Sequence, residues 1–290
     1  MIEELEHREF RRCLKISNGE AEVMVSLDFG PRVLHYALDG GENIFGWHPD
    51  AAVQTELGTW KPYGGHRLWL APENMPVSYA PDNETVDYLV ENELSALFTR
   101  PPDAAGIEKQ FRLSLAERGS GVSIDHKITN RRFEPIEAAA WALTIMRPGG
   151  EAIVPNEPFA PYGPDTLLPV RTLTLWSYTD FTDPRWSFEK DSIRLRVDEN
   201  QASQQKFGVF NKQGWSAYEW QDLKFIKHFE IEDDALYPDM SCNNEVYTAG
   251  GYVEIETLSQ LRRVANGESI EYEETWNLQK NNQLPETSAK

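Results

Sequence analysis

The chain has 290 residues, 47 of them acidic and 28 basic, for a formal net charge of −19. Such a charge repels nucleic acid and anionic membrane surfaces, and no basic cluster offsets it. Nine Trp, eleven Tyr and thirteen Phe within a hydrophobic content of 40% supply a packed core and exclude a disordered chain.

The opening Met1-Ile2-Glu3-Glu4-Leu5-Glu6 is acidic and lacks the apolar run of a secretory signal, and no stretch reaches the length of a membrane span. A cytoplasmic protein is expected. Cys13 and Cys242 lie far apart and match no metal-ligand spacing.

In chain order, 9–16, 21–27 and 32–38 read as short strands separated by Ser17-Asn18-Gly19, Phe29-Gly30-Pro31 and Asp39-Gly40-Gly41, all turn chemistry. A short helix is expected over 49–57. Strands resume at 83–93, 96–100, 107–115 and 122–130. The alanine-rich 136–146 reads as a buried strand, and 148–165, rich in Pro, Gly and Asn, as a long loop of the kind that carries function on β scaffolds. Further strands fall at 172–178, 193–197, 206–211, 215–219 and 223–231. Turns every eight to twelve residues, with β-branched and aromatic enrichment, predict one all-β domain over 1–279 and a polar tail over 280–290.

The most informative stretch is 247–276. After Gly250-Gly251, residues 252–258 alternate with period two, so Val253, Ile255 and Thr257 share one face and Tyr252, Glu254, Glu256 and Leu258 the other. Two carboxylates between an aromatic and an aliphatic residue are raw material for proton transfer, since like charge and burial raise one pKa. They equally suit an exposed face of an acidic protein.

A second stretch, Gly64-Gly65-His66-Arg67-Leu68-Trp69, combines close backbone approach with a proton carrier and a guanidinium beside an aromatic face, a common way to hold a polar ligand. Its alternation puts His66 with Leu68 and Leu70, and Arg67 with Trp69. The bland reading is a satisfied core histidine and an ion-paired arginine. A third candidate region holds Lys227, His228, Asn244 and Glu245; here Asp239, Asn243 and Glu245 suit turns or Ca²⁺ ligation, without the spacing of an EF-hand. Arg147 follows a core-type Trp141 at a loop mouth. No P-loop, Gly-x-Gly-x-x-Gly, His-Glu-x-x-His or Gly-x-Ser-x-Gly is present, which removes the commonest nucleotide, zinc and serine-hydrolase readings.

Taken together, Asp28 to Leu34, Gly64 to Trp69, Trp141 to Gly150, Tyr252 to Leu258, Asn266-Gly267-Glu268 and Trp276 resemble the galactose mutarotase-like (aldose 1-epimerase-like) superfamily over most of the chain. The resemblance implies a large β-supersandwich whose concave sheet face cradles a sugar. It also implies anomer interconversion in which a glutamate deprotonates the anomeric hydroxyl and a histidine protonates the ring oxygen. Glu256, followed by Thr257, matches the family's glutamate, with Glu254 two residues away on the same face as the fallback, and His66 falls near a pocket histidine. The family's principal acid histidine belongs on the strand reading Ala140-Trp141-Ala142-Leu143-Thr144, where none stands.

The expectation is therefore an epimerase-type isomerase with Glu256 as base and His66 as acid. Arg67, Trp69, Arg147, Lys227, Asn244, Glu245 and Glu254 would bind a monosaccharide-like ligand, with no cofactor and no metal. The rival, favoured by the missing strand histidine, is a non-catalytic sugar-binding or sensing protein. A glycosidase or lyase fits less well, because Glu254 and Glu256 point the same way and cannot flank a glycosidic bond.

Overall fold

The computed structural model of the protein describes residues 1–281. Period-two alternation governs it. Ile107–Leu115 buries every odd residue, and Ser269–Lys280 buries Ile270, Tyr272, Glu274, Trp276 and Leu278. Such strands have one face to hide, and two antiparallel sheets hide it against each other.

The first sheet has twelve strands. Its main path runs Ile2–His7, Arg11–Ser17, Ala21–Ser26, Arg32–Leu38, Tyr63–Ala71, Ile136–Met146, Val253–Leu258, Asn244–Ala249, Gln204–Val209 and Leu173–Leu175. The second, of ten, runs Trp186–Phe188, Ser192–Arg196, Glu151–Pro155, Trp215–Trp220, Leu223–Phe229, Ser269–Lys280, Val122–Asn130, Ile107–Leu115, Ser95–Arg100 and Asp87–Asn92. Between them Val25, Val33 and Ile255 of the first sheet pack in one core with Phe111, Phe225 and Trp276 of the second. The protein is an all-β supersandwich. Among the described residues no helix is long and apolar enough to cross a membrane.

Two expectations are corrected, and the two ends of the chain add detail. The helix over 49–57 is replaced by a hairpin, Val53–Thr55 with Gly58–Trp60. Gly58, at φ +122°, turns the chain so that Trp60 joins Trp69 and Tyr79 in an aromatic cluster. The loop over 148–165 contains the strand Glu151–Pro155, which pairs on both sides because Ala152 and Val154 alternate into the core. The acidic lead-in forms the edge strand Ile2–His7, where charge guards an open edge. Finally, Lys280 ends a strand and the Asn281 amide donates to the Asp222 carbonyl, while the rest of the expected tail lies outside the described residues.

Candidate functional site

Strand register decides which polar residues meet. Leu143 stands directly opposite both Arg67 and Glu256, and Glu256 stands opposite Glu245. Cross-strand partners share a face, so Arg67, Leu143, Glu256 and Glu245 form one row. One residue along, His66, Thr144, Ile255 and Val246 form the neighbouring row. Ile255 and Val246 belong to the inter-sheet core, so the His66 row faces inward and the Arg67 row outward. Two glycines lock this arrangement. A Cβ on Gly64 would lie 2.0 Å from the Gly46 carbonyl oxygen, and one on Gly65 2.0 Å from that of Val33. The close approach that these glycines permit is to neighbouring strands.

On the outward face the centre is Lys206. Its Nζ lies 3.0 Å from Glu256 Oε2 and 2.7 Å from Glu245 Oε2, and the ammonium sits 4.8 Å from the ring centre of Trp141 and 4.6 Å from that of Trp176. Trp141 Nε1 donates to Glu256 Oε2 at 3.0 Å. Glu245 and Glu256 are 0% and 1% exposed. The Glu245 contact is an ion pair without hydrogen-bond geometry, and Glu245 Oε1 has no partner. Burial pushes the Glu245 carboxyl well above the ordinary range, helped by the negative Glu256 and Asp239 against the pull of Lys206. Glu256 is raised in the same way, by burial and by Glu254. Burial alone would lower the Lys206 pKa, but the two carboxylates outweigh it and hold the ammonium charged.

Beside this triad, Arg67 Nη2 donates to Glu254 at 3.1 and 3.3 Å, and the guanidinium lies 4.6 Å from the Trp69 ring centre and 5.4 Å from that of Trp60. Arg67 Nε and Nη1 and Trp60 Nε1 are buried without partners. Arg67, Trp69, Glu245, Glu254 and Glu256 are thus brought together, within an aromatic surface that includes Trp60 and Trp141. The carboxylates do not form a solvated face.

His66 is not among them. It lies between the sheets at 0% exposure. Its Nδ1 is 2.9 Å from Thr144 Oγ1, its Nε2 is 2.8 Å from His126 Nε2, and His126 Nδ1 is 3.0 Å from the Tyr272 carbonyl oxygen. The carbonyl can only accept, so His126 carries its proton on Nδ1 and accepts at Nε2. His66 then donates from Nε2 and accepts the Thr144 hydroxyl at Nδ1. Every proton has a place, and burial, with Lys227 second, drives the His66 pKa well below its ordinary value. The satisfied core histidine is the reading that holds, and the expected pairing of His66 with Glu256 does not form, because the two side chains leave opposite faces of one sheet.

Lys227 is likewise inward, 2.9 Å from Glu274 Oε1 and donating to the Ala142 carbonyl at 3.0 Å. Asn244, also inward, bonds Asn211 and the Glu256 carbonyl. His66, His126 and Glu274 come within reach of a common cation. The placed protons and the adjacent Lys227 ammonium oppose one, as added positive charge would stand unscreened in the core. Arg147 bonds Glu42 and the Asn43 carbonyl and stacks on Trp220 at 3.6 Å, away from the outward cluster. Nor do Asp239, Asn243 and Glu245 form a Ca²⁺ set: Asn243 bonds Asn211, and a lysine ammonium already stands at Glu245.

Sequence reasoning missed Lys206, whose strand was recognised but whose face was not. It also missed His48, 4.9 Å from Tyr252, with a buried, unpartnered Nε2 and a pKa lowered by burial against Glu254. Trp176 and Tyr178 come from the segment after the edge strand Leu173–Leu175 and lie over Lys206, anchored where Thr179 Oγ1 donates to the Lys206 carbonyl at 2.5 Å.

No family model matches the chain, and no curated protein matches it. Solved structures do. A proposed mutarotase from Salmonella typhimurium superposes with a TM-score of 0.60 at 10% identity, over 96% of this chain and 94% of that one. A galactose mutarotase-like protein from Lactobacillus casei ATCC 334 gives 0.58 at 10% identity, over 92% and 100%. This protein has the galactose mutarotase-like fold. A TPR-domain containing protein from Parabacteroides distasonis ATCC 8503 gives 0.60 at 13% identity, over 96% of this chain but 48% of that one, so the chain spans about half of its length. In the galactose mutarotase-like fold of this chain, the outward row is the one that gathers carboxylates, cations and tryptophans on a single sheet face.

Proposed function

We propose that the protein binds an uncharged monosaccharide against the outward face of its first sheet and interconverts the sugar's anomers, with Glu256 taking the proton of the anomeric hydroxyl. The observation that carries this reading is the surrounding of Glu256. It is a carboxylate at 1% exposure, oriented by the Trp141 indole and the Lys206 ammonium, beside Trp69 and the free N–H groups of Arg67. Indole faces suit the C–H surface of a pyranose, and guanidinium donors suit its hydroxyl oxygens. A carboxylate whose pKa is raised by burial is matched to proton transfer near neutrality. An uncharged ligand is favoured because the cations at hand are already paired: Arg67 with Glu254, and Lys206 with Glu245 and Glu256. Lys227 and Arg147, which would have to join Arg67 to hold an anion, lie elsewhere.

The test is anomer-exchange NMR on aldoses, uronic acids and sugar phosphates. Accelerated exchange of an uncharged aldose, reduced at least about 100-fold in Glu256→Gln, is expected from loss of a general base. Full activity in that variant would remove Glu256 from its role. A second reading, sugar binding without turnover, is favoured by the strand Ile136–Met146, which presents Trp141 and Leu143 and no histidine to this face. Saturation transfer without accelerated exchange would select it.

A further inference from the structure

Resting on that reading of the outward face, we infer that Glu245 is the proton donor to the sugar ring oxygen, working with Glu256 as a side-by-side carboxyl pair that shares one proton above Lys206. The geometry carries this. Glu245 and Glu256 stand directly opposite each other on adjacent antiparallel strands and extend from the same face. Directly opposed side chains have Cβ atoms roughly 5 Å apart. One ammonium touches Oε2 of both, at 2.7 and 3.0 Å, which fixes the pair relative to each other. Glu245 Oε1 is left buried with no partner. A neutral carboxylic acid has one O–H to give, and this is the oxygen whose capacity nothing in the protein uses.

Charge points the same way. Two buried carboxylates against one ammonium leave an uncompensated negative charge, whereas one proton on the pair makes the triad neutral. The groups that face Glu245 are Lys206, Glu256, Asp239 and Cys242, so Lys206 is the single cation among them. Burial raises both carboxyls, and Glu256 Oε2 accepts from Trp141 Nε1 and Lys206, which holds Glu256 as the carboxylate and leaves the proton to Glu245. Fixed carboxyl pairs that share a proton divide naturally into an acid and a base.

The pair also suits the reaction. The anomeric hydroxyl oxygen and the ring oxygen are bonded to the same carbon, so two carboxyls on one side of the sugar can address both. As the Glu256 carboxylate takes the hydroxyl proton, the C–O double bond of the aldehyde forms, the ring C–O bond breaks, and the ring oxygen receives the Glu245 proton. The open chain rotates about its first C–C bond. Closure then runs in reverse: Glu245 recovers its proton, the oxygen adds to the other face of the carbonyl, and Glu256 returns its proton to the new hydroxyl. Protons and bonds balance, nothing is oxidised, and the pair ends as it began. No histidine is needed on the strand Ile136–Met146.

The experiment compares wild type, Glu245→Gln and His48→Asn by anomer-exchange NMR with glucose across pH, alongside saturation-transfer binding of the same sugar. Wild type should lose rate at high pH, where the acid deprotonates. Glu245→Gln should still bind, should fall at least about 100-fold in exchange rate, and should no longer show the alkaline decline. Retention of both rate and decline in Glu245→Gln, or loss of the decline in His48→Asn alone, would overturn the assignment while leaving the sugar reading intact. A wild type that neither binds nor accelerates exchange overturns both. Should Glu245→Gln not fold, infrared spectroscopy of the wild-type protein decides. A neutral carboxylic acid C=O band persisting at neutral pH is expected, and its absence means that no shared proton exists.

Discussion

The two faces of the first sheet both bury charge, and they bury it differently. Inward, His66, Thr144, His126 and the Tyr272 carbonyl form a directional chain in which each proton has one donor and one acceptor. Lys227 and Glu274 are closed by Ala142, Thr257 and Trp276. Outward, Arg67 keeps two unused nitrogens, Trp60 an unused indole N–H and Glu245 an unused oxygen. Buried polar groups without partners are costly, on the order of 1–3 kcal/mol each, and on this face they are the groups that the proposed sugar would partner. Burial and perturbed pKa values are common to both faces. Unspent hydrogen-bonding capacity on charged and indole groups gathers outward, while inward it is left at the hydroxyls of Ser216 and Tyr272 on the second sheet.

The largest effect expected from breaking this contrast lies inward. Lys227→Ala removes the cation beside Glu274, a carboxyl group at 1% exposure, and should cost about 3–5 kcal/mol in chemical denaturation. If it costs less than 1 kcal/mol, the inner network is not the structural clamp described here. Outward, Arg67→Lys removes the planar fork on Trp69 and its free N–H groups while keeping the charge beside Glu254. A roughly tenfold weakening of sugar binding with little change in the denaturation midpoint is expected, at about 1.4 kcal/mol per decade. An unchanged affinity would mean that those nitrogens face no ligand.

The smallest effect, and the one that compares both faces in one measurement, is the pH dependence of stability. His66 and His126 are held below the ordinary histidine value chiefly by burial, and His35 is pushed down to about 4 by burial, with Glu22 opposing. For these groups the unfolded chain binds more protons than the folded one between the folded pKa and about 6.5, so stability falls as pH drops through that window. Glu245 and Glu256 act with the opposite sign. Their folded pKa values are raised, so the stability they contribute is present below the unfolded carboxylate value and lost as pH rises through the folded one. Urea denaturation midpoints should decline on the acid side in both wild type and Glu245→Gln, and the alkaline slope should flatten only in the variant. An acid side flat from 6.5 to 4 would contradict the neutral inner histidines.

Several features were legible in the chain before any fold was known. Alternation from Tyr252 to Leu258 put Glu254 and Glu256 on one face, and alternation from Gly64 to Leu70 separated His66 from Arg67. Both separations hold, because side-chain parity within a strand is a local property of the pleat. Turn chemistry likewise located most strands. It misread 49–57, where the pull on Trp60 is tertiary, and 151–155, where Pro and Gly on either side masked a core strand.

Which parity of one strand meets which parity of the next is not written in either strand. It follows from register, and a slip by one residue would exchange the faces. Only the assembled sheet put Arg67 in Glu256's row and His66 in the row behind it, and only its topology brought Lys206, 50 positions earlier, between two glutamates from adjacent strands. The sequence by itself determined an acidic all-β chain and the face that each residue takes within its own strand, because those depend on composition and on the period of the backbone. The tertiary structure decided which carboxylate has a lysine and which histidine is buried and bonded between the sheets, because hydrogen bonds between distant strands set the register.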